Sequence, residues 1–310
     1  MYYGHGKLLL TSEYAVLDGA VALAIPTQLG QKMTIKQTRK SDLYWNSFDH
    51  LSQEWFSAQM SLYDFSAIKT SDPEKAEYLG KLLKGAVRLN SEFLSQWNGF
   101  DVKTELEFSK DWGLGSSSSL IYTMAQWADV NPLLLHFQVS EGSGYDVACA
   151  GADYPISYQL TDESVSYTEV DFDPVFKDKL YFVHLNNKQS SQQGIEYYLK
   201  KARKRKTLAS KLSKITEDFI NCKSFSNFRN LIDEHEAAVS EHLSLQCVKE
   251  KHFADFDGSM KSLGAWGGDF ILVAPELSED VVKSYFTAKG YKTILPYETI
   301  IFNAHQLSPA

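Results

Sequence analysis

The sequence is poor in the residues that staple small extracellular or metal-built folds. Its three cysteines, Cys149, Cys222 and Cys247, are spread over 310 residues. That is too few and too scattered for a disulfide framework or a zinc site. Cys149, in the run Val147-Ala148-Cys149-Ala150, is expected to pack as a small hydrophobe. Long apolar runs are also missing, and none approaches the roughly 18 residues of a membrane helix. Positive charge is in deficit, with a net charge of −8 and a pI near 5.5. Nucleic-acid binding needs a concentrated positive surface, so none is expected. The one basic cluster, Lys200 to Lys206, reads either as a solvated helix face or as a phosphate contact. Residues Met1 to Lys7 show no positive segment followed by an apolar core. No export signal is expected, and the expected compartment is the cytoplasm.

What is present suits a folded protein working as a monomer or homodimer on a small molecule. The hydrophobic share of 44% and the charged share of 23% match an ordinary globular chain. The length allows two lobes with substantial cores, and no internal repeat is visible. Leu8-Leu9-Leu10 reads as a buried strand, and Val21 to Ile25 as an apolar run ended by Pro26. Residues 32–45 include an alternation suited to an exposed strand, and the stretch to about Ser71 carries little signal. A helix is expected from Asp72-Pro73, with Leu79, Leu82, Leu83, Ala86 and Val87 at helical spacing. Val102 to Phe108 alternates as a strand. Farther on, residues 195–222 suggest one long helix, 225–245 another, 278–289 a third, and 292–295 a last strand. The pattern is α+β in two lobes, residues 1–170 and 171–310.

After the strand ending near Phe108 comes Gly113-Leu114-Gly115-Ser116-Ser117-Ser118, then an apolar helical run. Gly113 and Gly115 let the backbone approach an anion closely, and the helix start adds unpaired N–H groups and positive potential. Serine hydroxyls there suit phosphate oxygens or Mg²⁺. An ordinary serine-rich helix cap fits the spacing equally well, and no Walker lysine follows the glycine. Thirty residues on from Ser116, Gly142-Ser143-Gly144-Tyr145-Asp146-Val147-Ala148 places a carboxylate beside an apolar helix. Asp146 reads either as an N-cap or as a base that takes a proton from a hydroxyl during phosphoryl transfer. Lys7 follows two glycines and precedes a buried strand; it reads either as a solvated lysine or as one fixed near a site, where its charge would hold a nearby carboxylate ionised.

Taken in order, three segments change the weight of these readings. Gly6-Lys7-Leu8-Leu9-Leu10-Thr11-Ser12-Glu13-Tyr14-Ala15-Val16-Leu17, Gly113 to Ser118, and Gly264-Ala265-Trp266-Gly267-Gly268-Asp269 resemble the three signature motifs of the GHMP kinases. The resemblance is nearest to the mevalonate and phosphomevalonate branch. It implies a GHMP kinase fold, with an N-terminal ATP-binding lobe like ribosomal protein S5 domain 2 and a ferredoxin-like C-terminal lobe. It also implies ATP and Mg²⁺ as cofactors, and phosphorylation of mevalonate or phosphomevalonate on the way to isoprenoid precursors.

By motif position, Asp146 and Lys7 would be catalytic. Gly113, Leu114, Gly115, Ser116, Ser117 and Ser118 would hold ATP, with Ser116 nearest the metal. Glu13, Tyr14, Gly144, Tyr145, Gly264, Gly267 and Gly268 would face the substrate. Three positions depart from the pattern: His5 for a proline, Trp266 for a glycine, and Leu135 where a Mg²⁺-binding glutamate often stands. Two alternatives share the fold: an ATP-dependent diphosphomevalonate decarboxylase and a catalytically inactive binding or sensor protein.

Overall fold

Asp72 and Pro73 start the first long helix as their chemistry requires. Asp72 is extended, with φ −152°, and its carboxylate accepts the Lys75 N–H at 3.1 Å. Pro73, which has no N–H to lose, opens helix α1 (Pro73–Leu89), and the face bearing Leu79, Leu82, Leu83 and Ala86 is buried. This computed structural model describes residues 1–96, 98–162, 164–187, 191–201, 205–264, 266 and 268–304.

The chain forms two units. The first comprises Met1–Gly6, Leu29–Lys110 and Leu114–Gly151; the second comprises Lys7–Gln28, Asp111–Gly113 and Ala152–Ala310. The sequence reading put a single crossing near residue 170, whereas the chain passes between these units five times. Strands β1 (Tyr2–Leu9) and β2 (Ala22–Thr38) each contribute to both.

In the first unit, β2 pairs with β6 (Gly99–Leu106), and β6 pairs in parallel with β3 (Leu43–Phe48). Strands β4 (Glu54–Met60) and β5 (Ala67–Thr70) complete that order as antiparallel neighbours. The stretch before Ser71 that carried little sequence signal is therefore three strands. Its pattern is hidden because a polar residue points inward: Ser47 is buried and accepts hydrogen bonds from Trp45 Nε1 at 3.0 Å and Thr104 Oγ1 at 2.8 Å. Helices α2 (Ser116–Ala128), α3 (Pro132–Val139) and α4 (Tyr145–Ala150) join α1. Leu82, Leu83, Met124, Leu135 and Val147 lie in one core with Trp45 and Met60.

In the second unit, β2 pairs with β7 (Ile156–Leu160), and β7 with β8 (Val165–Glu169). Pro26 does not end β2. It falls between the stretch paired with β7, which stops at Ala24, and the stretch paired with β6, which begins at Gln31. A proline is tolerated where no ladder donor is needed, and its carbonyl accepts the Phe302 N–H at 2.9 Å. A separate antiparallel sheet has the order β10-β11-β9-β12, built from β9 (Tyr181–His184), β10 (Gly258–Ser262), β11 (Phe270–Pro275) and β12 (Ile294–Pro296). Helices α5 (Ser191–Lys200) and α6 (Arg205–Asn221) replace the one long helix expected over 195–222. They are followed by α7 (Phe225–Leu243), α8 (Val248–His252) and α9 (Glu279–Ala288). Among the described residues, no helix is long and apolar enough to cross a membrane.

Candidate active site

The glycine-serine loop opens α2 without a side-chain cap. Gly115 takes the N-cap position at φ 91°, a left-handed conformation that favours glycine, and no side chain caps the first-turn N–H groups. The four serines divide into two pairs. Ser118 Oγ donates to Gly115 O at 2.9 Å, and Ser119 Oγ to Gln31 Oε1 at 2.9 Å; both serines are buried. Ser116 and Ser117 are partly or fully exposed, and their hydroxyls make no hydrogen bond among the described residues. The helix start therefore presents unpaired N–H groups, two unoccupied hydroxyls and positive potential together.

Asp146 lies on a second short helix in the same unit. Gly144 is the N-cap of α4, at φ 83°, so the reading of Asp146 as a cap does not hold. The half-buried Asp146 sits in the first turn, its Oδ1 accepting the Val147 N–H at 3.0 Å. Tyr145 beside it is half-buried, and a Cβ on Gly144 would stand 3.0 Å from Leu133 Cδ2. Burial chiefly, and the Asp146 charge next, push the Tyr78 phenol up to about 12. Helix α4 packs on α2. Gly151 makes this close approach possible, since a Cβ there would lie 2.2 Å from the Tyr122 ring.

The second unit gathers Lys7, Gly113, Gly264 and Asp269 around one small recess. Lys7 Nζ donates to Gly113 O at 2.9 Å, which ties β1 to the loop that leads into Leu114. Gly113 has φ 65°, and a Cβ there would meet Asp269 Cγ and Oδ2 at 2.5 Å. Asp269 is itself left-handed, at φ 51°, and buried. Its N–H donates to Asn187 O and its carbonyl accepts from the Leu185 N–H, both at 2.8 Å. Gly264 has φ 67° and Gly268 is buried. Gly267 lies outside the described residues.

The turn after β1 carries two left-handed residues that are not glycine, Ser12 at φ 64° and Tyr14 at φ 59°. Such backbone costs about 1–3 kcal/mol per residue and persists only where the surroundings hold it. Here the Ser12 N–H donates to His235 Nε2 at 2.8 Å and Ser12 Oγ to Val21 O at 2.6 Å. Glu13, expected to face the substrate, is instead 1% exposed and ion-paired with Lys261, which is 0% exposed. Burial outweighs the attraction of Lys261 and pushes the Glu13 carboxyl up to about 7. Tyr14 is also buried. Its Oη accepts the Trp266 N–H at 2.9 Å, and its ring stacks on Tyr198 with centroids 5.7 Å apart. Burial pushes that phenol to about 12, so it remains protonated.

The metal expectation finds limited support in these residues. Leu135 is fully buried, packed where a Cβ on Gly85 would lie 3.1 Å from its Cδ1. Among the described residues no group of three or more His, Cys, Asp or Glu side chains could hold a metal ion. Sequence reasoning did not single out Asp269, Lys261 or His235. Asp269 was visible beside Gly267-Gly268, but a lysine on a strand and a histidine on a helix give no local sign of burial.

No family model matches the sequence, and no curated protein is similar to it. The fold does have solved counterparts. The Methanococcus jannaschii mevalonate kinase superposes with a TM-score of 0.69 at 15% identity, over 94% of this chain and 96% of that one. The Streptococcus pneumoniae phosphomevalonate kinase, solved with phosphomevalonate and AMPPNP, gives 0.71 at 14% identity over 93% and 96%. This chain has the GHMP kinase fold. A third GHMP structure, Lactococcus lactis galactokinase complexed with galactose, gives 0.66 at 12% identity over 94% and 91%. Each of these three structures superposes over 93% or more of this chain, and the three are kinases of different molecules.

Proposed function

We propose that the chain is an ATP-dependent kinase of a small metabolite, with mevalonate or phosphomevalonate as acceptor. The observation that carries this reading is the uncapped start of α2, where Ser116 and Ser117 keep their hydroxyls unoccupied. A helix start left open in this way suits the phosphates of a nucleotide. Asp146 takes or orients the proton of the acceptor hydroxyl as the terminal phosphoryl group is transferred. Lys7 holds the loop in shape through the Gly113 carbonyl. Tyr145 and Gly144, beside Asp146 at the start of α4, shape the acceptor side. Mg²⁺, which neutralises phosphate charge when bound with ATP, would take the Ser116 hydroxyl and complete its shell with nucleotide oxygens and water.

The test is ADP release in a coupled assay, with mevalonate, phosphomevalonate, galactose and homoserine as separate acceptors. ADP with one of the first two is expected, and no ADP with any acceptor would overturn the reading. Carbon dioxide released from diphosphomevalonate would assign the chain to the decarboxylase alternative. The buried Leu135 favours a second reading, an inactive binding protein; nucleotide binding without any turnover is its signature.

A further inference from the structure

His136 is buried on α3, with only 4% of its surface exposed. Its Nε2 stands 3.0 Å from the Gly142 carbonyl oxygen. A carbonyl only accepts, so Nε2 carries the proton and donates. Nδ1 is then a bare acceptor, buried without a partner among the described residues. An unpaired buried acceptor is destabilising, so a leucine at 136 would remove that cost while losing the contact to Gly142.

The loop between α3 and α4, residues 140–144, is fastened to this one histidine along its length. The Ser140 N–H donates to His136 O at 2.9 Å, and the Gly142 N–H to Ser140 Oγ at 3.3 Å. Gly144, the N-cap of α4, lies against the imidazole, since a Cβ there would stand 3.2 Å from His136 Cδ2. Gly144 O in turn accepts the Val147 and Ala148 N–H groups at 3.1 and 3.0 Å, the bonds that open the turn holding Asp146. The ring thus meets the loop at Gly142 and at Gly144, just before Asp146. All of these residues lie in the first unit, as does the start of α2.

We propose that His136 positions Asp146, setting through the Gly142 carbonyl and Gly144 where the carboxylate stands. That this placement serves phosphoryl transfer rests on the kinase reading; that His136 fixes the loop does not.

Three measurements on the full chain test it. In heteronuclear NMR spectra of the wild type, the His136 ring should be protonated at Nε2 and bare at Nδ1. The opposite tautomer overturns the proposal before any variant is made. Amide hydrogen exchange over residues 140–148 should be about tenfold faster in His136→Leu, with α1 and β6 unchanged. His136→Gln, whose side-chain amide can donate to Gly142 O, should bring exchange back to within about twofold of the wild type. In the coupled ADP assay, His136→Leu should lower kcat by about tenfold or more, with the KM for ATP within about twofold. His136→Gln should recover most of that kcat. Unchanged loop exchange in His136→Leu, a loosened loop with full kcat, or an equal loss of kcat in His136→Gln overturns the positioning role. A wild type that turns over no acceptor removes the kinase reading instead, and the tautomer and the exchange rates then decide whether His136 holds the loop.

Discussion

The Lys261 ammonium and the Glu13 carboxylate form an ion pair sealed inside the second unit, with His235 Nε2 3.3 Å from the other Glu13 oxygen. Lys261 is the last residue but one of β10, close to the glycine turn, and Glu13 lies between the two left-handed residues Ser12 and Tyr14. The pair therefore fastens the turn after β1 to the strand that precedes Trp266. Lys261 Nζ also donates to Ser262 O at 2.7 Å, and Ser262 is held by Glu236. Removing one member of a buried pair leaves the other charge uncompensated. Lys261→Met should lower stability by about 3–5 kcal/mol in urea unfolding. The double variant Glu13→Gln/Lys261→Met should recover much of that loss, because neither charge is left stranded.

The same pair predicts a pH dependence. The Glu13 carboxyl is raised from 4.5 to about 7, first by burial. Between those values the unfolded chain has released this proton and the folded chain still holds it. The contribution of Glu13 to stability is therefore complete below about pH 4.5 and is lost as pH rises through about 7. His235 has the opposite sign. Burial holds its imidazole well below 6.5, so its contribution is present above 6.5 and falls as the unfolded chain protonates. Unfolding free energies measured across pH 4.5–8 should decline less steeply in Glu13→Gln than in the wild type. Parallel curves would separate Glu13 from this role.

Asp146 stands in the first turn of α4 and does not cap it. Asp146→Asn keeps the shape and removes the carboxylate proposed as the base. Turnover should fall by about two or more orders of magnitude, with ATP affinity little changed. Near-normal turnover in a coupled ADP assay would dismiss Asp146 as the proton acceptor.

Gly113 is required twice, once for its φ of 65° and once for the Asp269 carboxylate where a Cβ would stand. Gly113→Ala should destabilise by about 1–3 kcal/mol. It should also raise the KM for ATP, because the Lys7 contact to the Gly113 carbonyl shifts with the loop. Gly290→Ala is the informative control: φ is 92° there and nothing lies within 4 Å, so only the backbone cost applies.

Leu135 offers a test of the metal expectation. Its side chain fills the core of the first unit, so Leu135→Glu places a carboxyl among apolar groups without a partner. Thermal unfolding should show a loss of about 2–7 kcal/mol, and calorimetry no gain in Mg²⁺ affinity. Tighter Mg²⁺ binding by a stable variant would show that the position faces the nucleotide.

Local chemistry was legible wherever a few neighbouring residues decide the outcome. Asp72-Pro73 read as a helix start because a carboxylate that caps and a residue without an N–H suit that position. Gly115 before four serines read as the opening of a helix for the same kind of reason. The strands before Ser71 were illegible because the inward face includes Ser47, whose hydroxyl is satisfied by Thr104 from another strand. Pro26 misled for a related reason: whether a proline ends a strand depends on which neighbours need its N–H, and here neither ladder does.

By itself the sequence determined the order of the three glycine-bearing segments, the close backbone approach open at Gly113 and Gly115, and the residue types offered to a phosphate. Those properties follow from backbone sterics and short-range hydrogen bonding, which adjacent residues contain in full. Only the tertiary structure decided that Glu13 is enclosed, that Lys261 is buried as its counter-ion, and that Asp269 rests on Gly113. A charge can be buried only when its partner arrives, and for Glu13 that partner comes from 248 residues away.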